Sequence, residues 1–237
     1  MKLHKLSLFG AVVGALIFMA ALAPRANAAL IVYYNFEDST LGGVPDFTST
    51  GDLGLQHPTM TTNYSAGDMK SVAGLALNVA TGDPDPNNLA LNLNSSSKNE
   101  GKTFQFAVDA TLIENMSLSF AQNSGGNGFT TVALSYSTDA GATFIADGTA
   151  TMSTGGNFIV TFAVPAGAND QTNLVLRLTF TGGQSNGNND QTIIDNVQLN
   201  GTVVPEPATV VSGLLGVCGL CWHQRRRLLR SLRLRRA

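Results

Sequence analysis

The sequence predicts an all-β protein, an antiparallel β-sandwich with jelly-roll connections, on the strength of three observations. Short runs rich in β-branched and aromatic residues recur along residues 30–199, separated by clusters of Gly, Asn and Ser. Several runs alternate apolar with polar residues, as strands do when one face meets a core and the other meets water. Between residues 29 and 203, no segment keeps a period of 3.6 residues for three turns, so helices are not expected there.

Nine strands are expected along the chain. The alternation is clearest in the fourth and eighth, where every second residue is apolar. In chain order, the predicted strands are Leu30–Phe36, Leu75–Val79, Leu89–Leu93, Thr103–Asp109, Met116–Ala121, Thr130–Ser137, Phe158–Val164, Asn173–Phe180 and Thr192–Leu199.

Two of the connections have the composition of tight turns. Asn123–Gly128 separates two strands that are expected to pair, and Ser137–Phe144 closes a hairpin. The second segment reads Ser-x-Asp-x-Gly-x-Thr-Phe, which resembles the Asp-box hairpin of sialidases and other β-proteins. The resemblance implies that Asp139 and Gly141 shape the turn and that Phe144 packs beneath it. The motif is structural in its own families, so it implies no glycosidase.

The N-terminus has the pattern of a secretory signal peptide over residues 1–28. Lys2 and Lys5 form a positive region, and Leu6–Ala23 is apolar. Ala26–Ala28 offers the small-x-small site that signal peptidase cuts. We therefore expect an exported protein whose mature chain begins at Ala29.

The C-terminus carries an apolar run that ends in arginines. Ala208–Trp222 is predicted to form a transmembrane helix in the inner membrane, and the basic tail over 225–236 is predicted to stop translocation. Fifteen helical residues span about 22 Å, against a hydrocarbon core of about 30 Å. We expect a thinned bilayer or snorkelling arginines to make up the difference. The proposed stop-transfer residues are Arg225, Arg226, Arg227 and Arg230.

A short motif, Pro205-Glu206-Pro207, stands just before this apolar run. The order of motif, apolar helix and arginines resembles the PEP-CTERM sorting signal of bacteria that make extracellular polysaccharide, and the resemblance covers residues 204–237. It implies recognition by an exosortase-type membrane transpeptidase, cleavage near the motif, and a final place at the cell surface or in the extracellular matrix. A plain membrane anchor without processing is the alternative.

The domain between these signals, residues 29–203, is strongly acidic. It contains fifteen acidic and four basic residues, a net charge of −11. Such a surface repels nucleic acid, which we exclude as a partner. Cys218 and Cys221 both lie in the apolar run, so the domain has no cysteine and must draw its stability from its core or from a bound metal.

The two ends of the domain carry a second resemblance. Tyr34–Asp38 follows the first predicted strand, and Thr192–Leu199 forms the last one. These segments are similar to the opening and closing motifs of jelly-roll carbohydrate-binding modules. The resemblance implies a structural calcium ion held by Glu37, Asp38 and Asp195, which would suit a cation that takes six to eight oxygen ligands. Solvated carboxylates at strand ends are the alternative.

The expected function is non-catalytic association with extracellular polysaccharide or biofilm matrix, with weak glycan binding. Carbohydrate-binding modules stack sugars on exposed aromatic rings, and the domain has no tryptophan. Tyr64, in a polar segment, is the candidate ligand contact. His57 is the only histidine of the domain and no Gly-x-Ser-x-Gly occurs, so no enzyme is expected. A glycan hydrolase with two facing carboxylates and a matrix scaffold without ligand remain the alternatives.

Overall fold

The computed structural model describes residues 28–37, 42–43, 47–49, 53–83, 89–184, 191–204, 213 and 215–226. Several predicted features lie outside these residues, namely the signal peptide up to residue 27, Asp38, the motif Pro205-Glu206-Pro207, Arg227 and Arg230. The chain divides into two compact units, one formed by Asn27–Val203 and the other by Met1–Ala26 with Val204–Ala237.

The residues that the structure describes in the first unit form eleven strands. Their bounds are β1 Ala28–Tyr34, β2 Thr61–Thr62, β3 Met69–Ala73, β4 Leu89–Asn94, β5 Thr103–Val108, β6 Ile113–Ser124, β7 Thr131–Ser137, β8 Ile145–Thr151, β9 Asn157–Ala163, β10 Leu174–Thr181 and β11 Gln191–Val203.

The strands form two antiparallel sheets, which confirms the predicted β-sandwich. The six-stranded sheet has the order β3-β4-β11-β6-β9, with β1 also paired to β11, and the five-stranded sheet has the order β2-β5-β10-β7-β8. Strands β4 to β11 therefore follow the two orders β4-β11-β6-β9 and β5-β10-β7-β8, which is the strand arrangement of a jelly roll. The first and last strands lie side by side, with Ala28 opposite Thr202.

One predicted strand is wrong, three strands were not expected, and the pairing predicted across Asn123–Gly128 is wrong because β6 and β7 belong to different sheets. Residues 75–79 form no strand, because Asn78 takes a left-handed conformation, with φ of 55°, that breaks an extended run. The unexpected strands are β2, β3 and β8. β8 mixes Ile and Thr with Ala, Asp and Gly, which are depleted in strands, so its own residues favour a strand only weakly and pairing with β7 stabilises it.

Aromatic side chains from both sheets meet in the core. Tyr34 of β1 lies edge-on to Phe106 of β5 with ring centroids 5.6 Å apart, and within the five-stranded sheet Phe104 lies edge-on to Phe180 at 6.1 Å. The buried core residues run from Ile31 to Leu199, so the sandwich closes its core within Asn27–Val203. This unit therefore has what an independently folding domain requires.

The second unit is described only for residue 213 and residues 215–226, which are helical. The helix continues past Trp222 to Arg226, whose guanidinium lies 5.2 Å from the Trp222 ring centroid. Within the part of the chain that the structure describes, no helix has both the length and the apolar character that crossing a bilayer requires. The predicted helix over residues 208–222 overlaps this segment only in its second half.

Candidate functional site

The loop after β3 lies against the outer face of the six-stranded sheet and is fastened there by Asp195 of β11. The Leu75 backbone N–H donates to Asp195 Oδ2 at 2.6 Å, and the Asn196 N–H donates to Asp195 Oδ1 at 2.8 Å. Asp195 is only 1% exposed. The predicted metal ligand is thus a buried carboxylate that holds the loop through backbone hydrogen bonds.

Asn196 completes this attachment from a β-bulge in β11. The register of β11 against β6 shifts between Asp195 and Gln198, and Asn196 has φ of 50°. Its Nδ2 donates to the carbonyl oxygens of Leu75 and Leu77, each at 2.9 Å. Its own carbonyl accepts a bond from Asn78 Nδ2 at 2.7 Å. The bulge therefore points the side-chain amide of Asn196 toward the loop. A residue at a regular strand position could not present its side chain in this way.

The Tyr33 hydroxyl joins the same cluster from β1. It lies 2.5 Å from Asp83 Oδ2 and 2.5 Å from Asn196 Oδ1, and it accepts a longer bond from the Ala80 N–H at 3.4 Å. A phenol carries one proton and can donate it to only one of these two oxygens. Because the Asn196 Nδ2 donates to two carbonyls, the Asn196 Oδ1 faces the Tyr33 hydroxyl, and Tyr33 thus joins Asp83 and Asn196 in one cluster.

Electrostatics link three acidic residues of this cluster. Burial, which is the largest cause, and the charges of Glu37 and Asp83 raise the pKa of Asp195 to about 8, although the two backbone N–H donors oppose them. Burial and the hydrogen bond to Asp83 also raise the pKa of Tyr33. The fold thus brings Glu37 and Asp195, both predicted as calcium ligands, into electrostatic range and adds Asp83.

The described residues do not complete a metal site. Among them, no group of three His, Cys, Asp or Glu side chains converges closely enough to hold a metal ion. Calcium remains a prediction. It would take Glu37 and Asp195 with oxygens from backbone or amide groups, while Asp38 lies outside the described residues.

The outer face of the five-stranded sheet has a different character. Strand register places a row of side chains across it, with Thr61 opposite Gln105, Gln105 opposite Arg177, and Arg177 opposite Ser135. Gln105 and Arg177 are half-exposed, and Thr61 is exposed. This row, Thr61-Gln105-Arg177-Ser135, is called the arginine row below.

Arg177 is held in place on both sides. Its Nε donates to Ser135 Oγ at 3.0 Å, and its guanidinium carbon lies 3.6 Å from the centroid of the Phe144 ring. Stacking and a hydrogen bond together fix a side chain that would otherwise sample many rotamers. The sequence did not predict this row because Arg177 is surrounded by apolar residues in its own strand. Its polar neighbours lie on other strands and are identified only by the register.

The hairpin that supplies Phe144 has the predicted Asp-box geometry. Asp139 accepts bonds from the hydroxyls of Ser137 and Thr143, both at 2.6 Å, and from the Thr143 N–H at 2.9 Å. These bonds lower the pKa of Asp139 to about 2. Gly141 takes the left-handed conformation that the turn requires, with φ of 91°. The hairpin therefore acts as a rigid support for the Phe144 ring.

Tyr64 does not form the predicted sugar platform, because the expectation of an exposed ring is wrong. The residue is 6% exposed and stacks on Phe104 at 5.1 Å between centroids, with Lys102 Nζ 5.4 Å from its ring. The other tyrosines, Tyr33, Tyr34 and Tyr136, are buried as well. Apolar burial against Phe104 outweighed the polar composition of the surrounding segment.

Two surface pockets each have one carboxylate among the described residues that line them. One is lined by Asp68, and the other by Asp109, with no second acid among the described residues that line each. Burial favours the neutral form of Asp68, but bonds from Lys98, Ser65 and Asn99 outweigh it and lower its pKa to about 2. A general acid needs the opposite shift, so these pockets do not support a glycosidase pair. His57 is exposed in a loop.

Comparisons with known proteins gave structural similarity alone. No family model matches the chain, and no curated protein matches it. The K2 cleaved adhesin domain of Lys-gingipain is 13% identical, with 70% of this chain and 97% of that one covered and a TM-score of 0.42.

Two further similar structures come from Paenibacillus barcinonensis Xyn10C. The CBM22-1-CBM22-2 tandem is 13% identical, covers 78% of this chain and 49% of that one, and has a TM-score of 0.45. The CBM22-2 xylan-binding domain is 16% identical, covers 72% of this chain and 98% of that one, and has a TM-score of 0.40. No residue role is transferred at this level of similarity.

Proposed function

We propose that the domain is an exported, non-catalytic β-sandwich that contacts extracellular polysaccharide through the outer face of its five-stranded sheet. The arginine row carries this proposal, because Thr61 is exposed, Gln105 and Arg177 are half-exposed, and the Arg177 side chain is held by Ser135 and Phe144. In ligand sites, a small number of well-placed polar groups fix the orientation of the ligand, and the arginine row offers such groups on a sheet face.

The chemistry of the row suits a polyhydroxylated ligand. Arg177 offers guanidinium donors, Gln105 both donates and accepts, and Thr61 adds a hydroxyl. The face of Phe144 is already occupied by Arg177 at 3.6 Å, so no free aromatic ring is available there for a sugar to stack on. We therefore propose weak binding that depends on many contacts along a polymer. Arg177 is also the one arginine of the domain, which favours sugars that carry a carboxylate.

Affinity electrophoresis of residues 27–203 through gels containing extracellular polysaccharide tests this proposal. Retardation is expected for the wild-type domain. The double change Gln105→Ala with Arg177→Ala should weaken binding about tenfold or more, since each lost hydrogen bond costs about 1 kcal/mol. Asn123→Ala is the matched control, because Asn123 is polar and half-buried on the other sheet. Equal retardation of the double variant, or none for any polysaccharide, would contradict the proposal.

The proposal includes the exported location and calcium. The signal peptide, the Pro-Glu-Pro motif, the apolar segment and the arginines support an inner-membrane precursor that an exosortase-type enzyme processes for the surface or matrix. Changing Pro205, Glu206 and Pro207 to alanine is expected to leave uncut precursor in the membrane, and unchanged release would count against it. Calcium at Glu37 and Asp195 is supported by the coupling of these carboxylates.

A further inference from the structure

The free edges of the two sheets differ in how they are protected. An exposed strand edge presents unpaired N–H and C=O groups that can pair with another chain, and proteins usually cover or blunt it. On β1, the N–H groups of Leu55 and Gln56 donate to the carbonyls of Leu30 and Ile31. On β3, the Gly42 N–H donates to Ser71, and Ser71 donates to Gly43.

The edges of the five-stranded sheet are blunted in other ways. β2 is two residues long. β8 pairs Gly148 with Leu134 and Ala146 with Ser135, so Asp147 is the extra residue of a β-bulge. A charged, exposed residue at a bulge is one of the devices that prevent pairing with another chain.

β9 has none of these devices. It pairs with β6 without a register shift from Asn157 to Ala163, and its sequence, Asn-Phe-Ile-Val-Thr-Phe-Ala, contains no charge, proline or glycine. Its other edge receives no backbone hydrogen bond from the residues that the structure describes. A regular, uncharged strand of seven residues with high β-propensity is the kind of segment that adds to another sheet.

The side chains of β9 add an apolar surface to this edge. Phe158 is 44% exposed and Ile159 is 50% exposed, while Val160 and Phe162 belong to the core. Two adjacent large apolar residues on a free strand leave hydrophobic area in water that pairing would bury.

We propose that β9 is a self-association edge, at which two copies of this chain pair their β9 strands antiparallel across a two-fold axis. With Val160 on the axis, Phe158 lies opposite Phe162 of the second copy, and Ile159 lies opposite Thr161. These are aromatic and β-branched pairs of the kind that stabilise antiparallel sheets. A copy is favoured over an unrelated strand because β9 brings no charge to the contact, although the domain as a whole is acidic.

The oligomeric state of residues 27–203 tests this inference. Sedimentation equilibrium should show a concentration-dependent dimer. Ile159→Lys should raise its dissociation constant about tenfold or more, since it places a charge in each copy at the paired edge. Ala73→Lys is the control, because it adds the same exposed charge on β3 at the opposite edge of the same sheet. Thermal unfolding must show that both variants remain folded. We expect Ile159→Lys to fold because the Ile159 side chain is exposed.

Two outcomes would overturn the inference. One is a monomer at all concentrations, in which case protection of β9 amides from hydrogen exchange would reveal that the chain covers its own edge. The other is a dimer that Ile159→Lys leaves intact. A second variant, Thr161→Lys, alters the residue that faces Ile159 and should act in the same direction. Polysaccharide binding through Arg177 involves the other sheet, so the two proposals can fail independently.

Discussion

The two outer faces of the sandwich are both built from antiparallel strands, but one binds a loop of the chain and the other presents half-exposed polar side chains. On the six-stranded sheet, β11 carries a bulge whose Asp195 and Asn196 bind the loop at Leu75 and Leu77, and the residues beneath are buried. On the five-stranded sheet, regular strands present Gln105 and Arg177 half-exposed. The register irregularity in β11 therefore converts one sheet face into a structural interface, whereas the opposite face keeps a half-exposed polar row.

The largest difference between the faces should appear on truncating Asn196. Asn196→Ala removes two donors to buried carbonyls and one partner of Tyr33, and places alanine at a left-handed φ of 50°. We expect a loss of about 4 kcal/mol of unfolding free energy. Arg177→Ala should change stability by about 0.5 kcal/mol or less, because the side chain is half-exposed. Urea unfolding measures the unfolding free energy of both variants. Equal losses would contradict the proposed difference between the two faces.

A smaller effect should follow from pH. Because the pKa of Asp195 is raised to about 8 in the folded state, the native protein holds a proton that the unfolded chain releases near pH 4. Stability is then full at low pH and falls as the pH rises from about 4 to about 8. Asp195→Asn should remove this dependence. A flat wild-type profile in unfolding experiments would contradict the raised pKa of Asp195.

The smallest of these effects is expected from calcium. At a hundredfold excess over its dissociation constant, a ligand of the folded state adds about 2.7 kcal/mol, which shifts the unfolding midpoint by several degrees. Thermal unfolding of residues 27–203 with calcium and then with chelator measures the shift. Asp195→Ala should abolish it, and Asp139→Ala, at a carboxylate of the far hairpin, should not. No shift in the wild type would leave the cluster as a loop anchor alone.

The sequence predicted strands correctly where apolar and polar residues alternate strongly. Leu174–Thr181 and Thr103–Val108 form strands because their apolar faces fill the core. The strand predicted at Leu75–Val79 was wrong because an apolar run can also be buried against an outer sheet face. There its backbone forms hydrogen bonds with Asp195 and Asn196. Local pattern does not distinguish these two kinds of burial.

The candidate site was predictable only in part. Glu37 and Asp195 were found through motifs at the chain ends of the domain, while Asp83 belongs to a loop whose position depends on the β11 bulge. Tyr64 was misplaced because a polar segment gave no sign of Phe104 beneath it. The arginine row depends on register between strands far apart in sequence, which composition does not determine.

The pairing of β1 with β11 also has a mechanical consequence. Ala28 lies opposite Thr202, so the chain enters and leaves the domain at one point. A force applied between these two residues would open the ladder one hydrogen bond at a time, because antiparallel bonds lie perpendicular to the strands. A load that enters through a sheet face and leaves through Val203 would instead act on β11 alone, which is flanked by β4, β6 and β1. The domain should therefore resist tension from a surface contact far better than tension between its own two ends.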